Sequence, residues 1–164
     1  MNYITLDIET SGLNPKTDEV IEIGACKVEK NIVTDTFSTF IKPKVALLSY
    51  AEQLTGLSEE FFVKAPDEEE AIRNLHEFVC GNTIVAYNAR FIENFLSAAY
   101  ERVGIKFDNS FIDIYTLSKE KLQGKISDFG LKAVCRYYNF LNDRSGCLSE
   151  AITVYKVYQK FLQN

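Results

Sequence analysis

The sequence has few of the residues that punctuate a chain. Three prolines and eight glycines in 164 residues leave no long linker and no low-complexity tract. No stretch approaches 18 consecutive apolar residues, which excludes a membrane-spanning helix. The opening MNYITLDIET lacks a basic leader followed by an apolar core, so no secretory signal is expected. Four cysteines (Cys26, Cys80, Cys135, Cys147) lie far apart without a C-x-x-C pair. That spacing fits reduced, mostly buried thiols in a cytoplasm better than a disulfide frame or a zinc site. The single histidine, His76, sits between Leu75 and Phe78 of a helical pattern, the place of a surface or core-edge side chain.

What is present is ordinary for a globular protein: 46% apolar and 25% charged residues, enough chain for one domain over residues 1–164 with a real core. The net charge of −5 is unevenly spread. Residues 1–70 carry 6 Lys/Arg against 14 Asp/Glu, and residues 71–164 carry 12 against 9. A pI near 5 argues against tight nonspecific binding to duplex DNA, which needs many phosphate contacts from Lys and Arg. It leaves room for a small acidic pocket that holds cations.

The first third has the period of strands. Tyr3 to Glu9 alternates, with Ile4, Leu6 and Ile8 on one face and Thr5, Asp7 and Glu9 on the other. Val20 to Val28 is apolar on both faces, as in a strand inside a sheet, and Val33 to Ile41 is a third strand stopped by Lys42-Pro43. Short connections predict an antiparallel meander. The period then turns helical. Asp67 to Glu70 opens a helix with Ala71, Ile72, Leu75, Phe78 and Val79 on its apolar side, and Gly81-Asn82 ends it. Thr83 to Tyr87 is a short buried strand. Asn88 is expected to N-cap a helix carrying Phe91, Ile92, Phe95, Leu96 and Ala99 on one side. Phe111 to Ile114 is a last strand, followed by helices near Tyr115–Leu122 and Phe129–Tyr138. The final helix, from about Cys147 to Leu162, is expected to bury Leu148, Ala151, Ile152, Tyr155 and Leu162. The pattern predicts an α/β fold: a mixed five-stranded sheet, three antiparallel strands then two parallel, with helices on both faces.

Asp7 and Glu9 are the sharpest chemical feature. Carboxylates at i and i+2 of a strand point to one side, about 7 Å apart. Near a strand end they can share a hard divalent cation, which takes oxygen ligands. The run DIETSGLNPKTDEVIEIGACKV around them resembles the first motif of the DEDD (DnaQ-like, polymerase III epsilon-type) 3′–5′ exonuclease family. The resemblance continues in order: LTGL at Leu54–Leu57, IVAYNARFIENFL at Ile84–Leu96, FIDIYTLSK, and FGLKAVCRYYNFLNDRSGCLSEAITVY.

The resemblance implies a ribonuclease-H-like fold and two-metal phosphodiester hydrolysis by four carboxylates and a histidine that takes the proton of the attacking water. Carried over residue by residue, Asp7 and Glu9 match the first two carboxylates, and Glu150 matches the last. The third falls on Ile92 and the histidine on Ser145. Isoleucine ligates nothing and simply extends the apolar face beside Phe95 and Leu96. Serine is no general base, a role typically worth about 10²–10⁴ in rate. Glu150 is either a retained ligand or a first-turn glutamate favoured by the helix dipole. Glu93 points toward solvent, about 100° further round the helix than Ile92. Asp113 matches an acidic position outside the metal set and is expected to make a structural hydrogen bond. A nucleophilic role for Cys147 lacks a histidine partner.

On the substrate side the resemblance places Thr10, Leu13, Leu54 and Thr55 along the cleft for a 3′-terminal nucleotide, flanked by Asn88 and Phe91. Leu54, Leu57 and Phe91 are equally suited to an ordinary core. Lys42, Lys44, Arg90, Lys119 and Arg144 are candidates for phosphate contacts. The expectation is a metal-dependent 3′–5′ exonuclease on single-stranded ends, weakened by Ile92 and Ser145, with at most one well-held Mg²⁺ or Mn²⁺. The alternative is an inactive module that binds nucleic-acid ends or a polymerase partner. A replication or repair protein is the implied partner, with no membrane and a cytoplasmic location. The chain ends within its last predicted helix, so no added tail for docking on a polymerase is expected.

Overall fold

The structure, a computed structural model, describes residues 1–44, 62, 64–140 and 145–163. Five strands, β1 (Tyr3–Thr10), β2 (Val20–Glu29), β3 (Ile32–Phe40), β4 (Ile84–Ala86) and β5 (Phe111–Asp113), form one sheet in the order β3-β2-β1-β4-β5. β1, β2 and β3 pair antiparallel, while β4 joins β1 and β5 joins β4 in parallel. The β2–β3 hairpin closes through Lys30 and Asn31, both at positive φ, the backbone that matches a two-residue turn to strand twist. The three antiparallel and two parallel strands agree with the sequence pattern, and β3 begins one residue earlier than expected.

Among the described residues five helices cover the sheet: α1 (Glu68–Val79), α2 (Ala89–Val103), α3 (Ile114–Leu122), α4 (Leu131–Tyr137) and α5 (Cys147–Leu162). Period-two alternation in β1 divides the interior into two cores. Ile4, Leu6 and Ile8 face α1 and α2, where they meet Leu75, Val79, Ile92, Phe95 and Leu96. Tyr3 faces the opposite way, toward Ile114, Val134, Val154, Val157 and Tyr158 of α3, α4 and α5. Asp7 and Glu9 therefore point to the side of α5. None of the helices among the described residues is long and apolar enough to cross a membrane.

Two local expectations are corrected. Asn88 is not an N-cap through its side chain: it takes the left-handed conformation (φ 58°) with no capping bond. Asp113 does the capping instead, accepting from Ala89 N at 3.1 Å, from Tyr115 N at 3.2 Å and from the Thr116 hydroxyl at 2.7 Å. One carboxylate thus pins the starts of both α2 and α3 to the C-terminal end of the parallel strands, the structural role expected of it. The second correction concerns α5, whose buried residues are Cys147, Ala151, Thr153, Val154, Val157, Tyr158 and Phe161. Leu148, Ile152 and Tyr155 are only half-buried and Leu162 is exposed. Ser149, Lys156 and Lys160 line one side of the helix, and its apolar side is broad; packing turns the buried face toward Thr153 and Val157 and away from Ile152 and Tyr155, a rotation that periodicity alone does not fix. Asp67 caps α1 as its sequence suggests, accepting from Glu70 N at 2.9 Å.

Candidate active site

The site is built where α5 starts on the sheet. Asp7 pairs across the β1–β2 ladder with Gly24, and Glu9 with Glu22. A side chain at position 24 has no room: a Cβ there would lie 2.0 Å from Leu148 N and 2.1 Å from the Cys147 carbonyl carbon. Glycine lets the backbone of the first turn of α5 rest directly on the sheet. Glu22, only 7% exposed, then accepts the Cys147 N–H at 3.0 Å through Oε1, satisfying one of the orphan amides at the helix start. Glycine and glutamate in one strand thereby carry Glu150, in the first turn, to the side of Asp7 and Glu9.

The electrostatics register this crowding. Burial raises the Asp7 carboxyl well above its ordinary range, and the charges of Glu150 and Glu9 add to the rise. Glu9 is raised from 4.5 to about 7, by burial first and then by Glu150 and Glu22. Burial also raises Glu150; Lys132 of α4 partly offsets this, and Glu22 reinforces it. Like carboxylates in a partly desolvated site cannot all ionise cheaply. Cys147 is fully buried, with Sγ 3.6 Å from the Glu22 carbonyl; burial and the neighbouring carboxylates hold its thiol protonated, so it offers no thiolate nucleophile.

A pH dependence follows. Protons are favoured on these carboxyls in the folded state, so the contribution of Glu9 to stability is full below about pH 4.5 and is lost as pH rises toward 7, and Asp7 and Glu150 act in the same direction. Glu68 works oppositely: it is buried, but hydrogen bonds from Arg102 and Lys44 hold it below its ordinary value, so its effect falls at lower pH. Without divalent ions, the urea midpoint should fall between pH 4.5 and 7. Mn²⁺ should flatten that decline, because a cation favours the ionised carboxylates. A flat midpoint in metal-free buffer would contradict the crowding.

The other candidate residues are less convergent. Ile92 is 2% exposed within the core cluster that contains Ile8, Phe95 and Leu96. Ser145 is exposed, two residues before α5, and Glu93 is exposed. Thr10 spends its hydroxyl on the Gly12 carbonyl at 2.6 Å, and Leu13 is 73% exposed. Phe91 is half-buried against Phe95, their ring centroids 4.8 Å apart, and Asn88 is exposed. Leu54, Thr55, Leu57 and Arg144 lie outside the described residues. Lys44, a candidate phosphate contact, is instead paired with Glu68 at 3.1 Å. Among the described residues no three His, Cys, Asp or Glu side chains close into a metal cage. Still, the donor set suits a hard cation: Asp7, Glu9 and Glu150 offer only oxygens, and their mutual repulsion is what a cation relieves.

Glu22, Gly24 and Lys132 were not among the sequence candidates. A charged residue inside a strand apolar on both faces was the available signal for Glu22. Nothing local marks Lys132.

A family model described as an exonuclease, RNase_T, matches residues 4–145. The chain belongs to the RNase_T exonuclease family. Among relatives of this exonuclease-family chain, the PolC-type DNA polymerase III of Caldanaerobacter subterraneus subsp. tengcongensis is 33% identical over 136 residues, 83% of this chain and 10% of that protein. The PolC-type polymerase of Thermotoga maritima is 33% identical over 133 residues, 80% of this chain and 10% of its own length. The chain thus spans about a tenth of these curated relatives. Among solved structures, exonuclease I superposes with a TM-score of 0.84 at 15% identity, over 99% of this chain and 40% of that one. E. coli exonuclease I with a dT13 oligonucleotide gives 0.83 at 15% identity, over 98% of this chain and 40% of that one. These neighbours establish the ribonuclease-H-like fold of this family member.

Proposed function

We propose that residues 1–164 act as one exonuclease-like domain that holds a single divalent cation, Mg²⁺ or Mn²⁺, and slowly removes nucleotides from single-stranded 3′ ends. The observation that carries this reading is the grouping of Asp7, Glu9 and Glu150 under the first turn of α5 while the position of the usual third carboxylate, Ile92, is sealed in the core. Asp7, Glu9 and Glu150 would hold the cation. When bound, such a cation supplies a water of lowered pKa and stabilises charge on the phosphate.

The chain's own residues do the rest. Glu22 fixes the start of α5 and with it Glu150. Thr10, Leu13, Leu54, Thr55, Asn88 and Phe91 would receive the terminal nucleotide. Ser145 cannot take the water's proton near neutral pH, so that proton leaves to solvent. The missing base alone lowers the rate by about 10²–10⁴. In support stand the PolC-type relatives and the exonuclease I structures with single-stranded DNA. Polymerase association, which the PolC-type relatives support, and a cytoplasmic setting are part of the same proposal. The sealed Ile92 and exposed Ser145 also favour a second reading, an end-binding module without turnover.

Incubation of a 5′-labelled single strand with Mn²⁺ separates the two readings. Slow shortening from the 3′ end, absent in Asp7→Ala, with one Mn²⁺ site by calorimetry, is the expected result. Two tight sites, or shortening that persists in Asp7→Ala, would refute the single-cation site. Tight strand binding with no shortening would establish the non-cleaving module instead.

A further inference from the structure

The geometry points to a second nucleotide site beside the cleft: Tyr115 stacks a base upstream of the 3′ end and Lys119 meets the adjoining phosphate. This rests on the proposed binding of single-stranded 3′ ends.

The parallel register of β1 and β4 (Ile4 opposite Ile84, Thr5 opposite Val85) leads to Asp7 and Tyr87 as neighbours on adjacent strands, about 5 Å apart in backbone. Tyr87 is fixed there, its hydroxyl donating to the Phe129 carbonyl. Its ring meets that of Tyr115 edge-on, with centroids 6.2 Å apart. Tyr115 stands at the start of α3 and is 36% exposed; the Lys119 Nζ lies 4.3 Å from its ring centroid. A hollow of about 290 Å³ adjoins them, lined by Lys119, Glu120, Gln123 and Phe129. The aromatic path from Asp7 through Tyr87 to Tyr115 therefore leads away from the carboxylate site and ends on an exposed ring that carries a cation over one face and leaves the other for a base.

The surrounding charge favours a polyanion. Residues 114–138 carry five basic and two acidic side chains in a chain of net charge −5. Lys119, Lys121, Lys125, Lys132 and Arg136 make no ion pair among the described residues. A ring interleaved with lysine matches a base–phosphate repeat and binds it without reading sequence. An acidic peptide would use the lysines alone.

Binding of labelled dT1 (a single nucleotide, which fills only the terminal site) and dT10 to the full chain, followed by fluorescence anisotropy in EDTA, tests this. The wild type should hold dT10 more tightly than dT1. Tyr115→Ala should weaken dT10 by about 5- to 150-fold, the usual worth of one stacked base, and leave dT1 unchanged. Tyr115→Phe should keep wild-type affinity, and Lys119→Ala should reduce the salt slope by about 0.7. Equal affinity for both lengths, or dT10 binding indifferent to Tyr115→Ala, overturns the second site while leaving the end-binding reading intact. Loss in Lys119→Ala without loss in Tyr115→Ala shows a purely ionic patch and also overturns it. Failure of the wild type to bind either probe removes the end-binding reading, and this site with it.

Discussion

Gly24→Ala should destabilise the protein by about 2–6 kcal/mol and abolish tight Mn²⁺ binding. The added methyl would sit 2.0 Å from Leu148 N, 2.1 Å from the Cys147 carbonyl carbon and 2.5 Å from Leu148 Cα. All three are backbone atoms, so no change of rotamer relieves the overlap, and the start of α5 must lift from the sheet. Overpacking of this kind costs about 1–3 kcal/mol. Lifting also breaks the bond from the Cys147 amide to Glu22, leaving a buried carboxylate without that donor, for about 1–3 kcal/mol more. Glu150 moves with the helix, away from Asp7 and Glu9. Urea unfolding and Mn²⁺ calorimetry on the same preparation read both effects. A variant within 1 kcal/mol of wild type that keeps its metal affinity would mean the helix does not depend on Gly24.

That prediction has no counterpart in the sequence pattern, and the reason is physical. Alternation in β1 needs only local hydropathy, which is why the faces of Ile4, Leu6, Ile8, Asp7 and Glu9 were legible. So was the sense of strand pairing, because short hairpins force antiparallel neighbours and helical crossovers force parallel ones. Contacts spanning the chain were not. Asp113 caps α2 from 24 residues away, displacing the role that Asn88 has by proximity. Glu22 caps α5 from 125 residues away. The face that α5 buries is turned toward Thr153 and Val157, off the centre of its own apolar side, by where Gly24 lets it rest. Lys44 looks like any solvated lysine until Glu68, 24 residues on, is folded against it. Family motifs pointed to Asp7, Glu9 and Glu150 because spacing in sequence encodes that register; the supporting residues follow from packing alone.

Ile92→Asp combined with Ser145→His should raise exonuclease turnover by at least 10²–10⁴, the worth of a positioned base, and should do so at a cost in metal-free stability. Ile92 is 2% exposed among Phe95, Leu96 and Ile8. Replacing it with aspartate removes packing worth about 2–5 kcal/mol, as large-to-small core changes do. The new carboxyl would stay protonated in that setting, since an ionised group without a partner is far costlier there. A divalent cation reverses this balance, because it binds the ionised form and stabilises the folded state by about 2.7 kcal/mol at a hundred times its dissociation constant. The double variant should therefore show a larger Mn²⁺-induced rise in melting temperature than the wild type, and a second metal site by calorimetry. Ser145→His alone should gain turnover without that second site, since the exposed position before α5 accepts the ring at no packing cost. If the double variant binds a second Mn²⁺ yet cleaves no faster, the limit lies in how the cleft holds the strand, and the missing ligand and base are not what slows the chemistry.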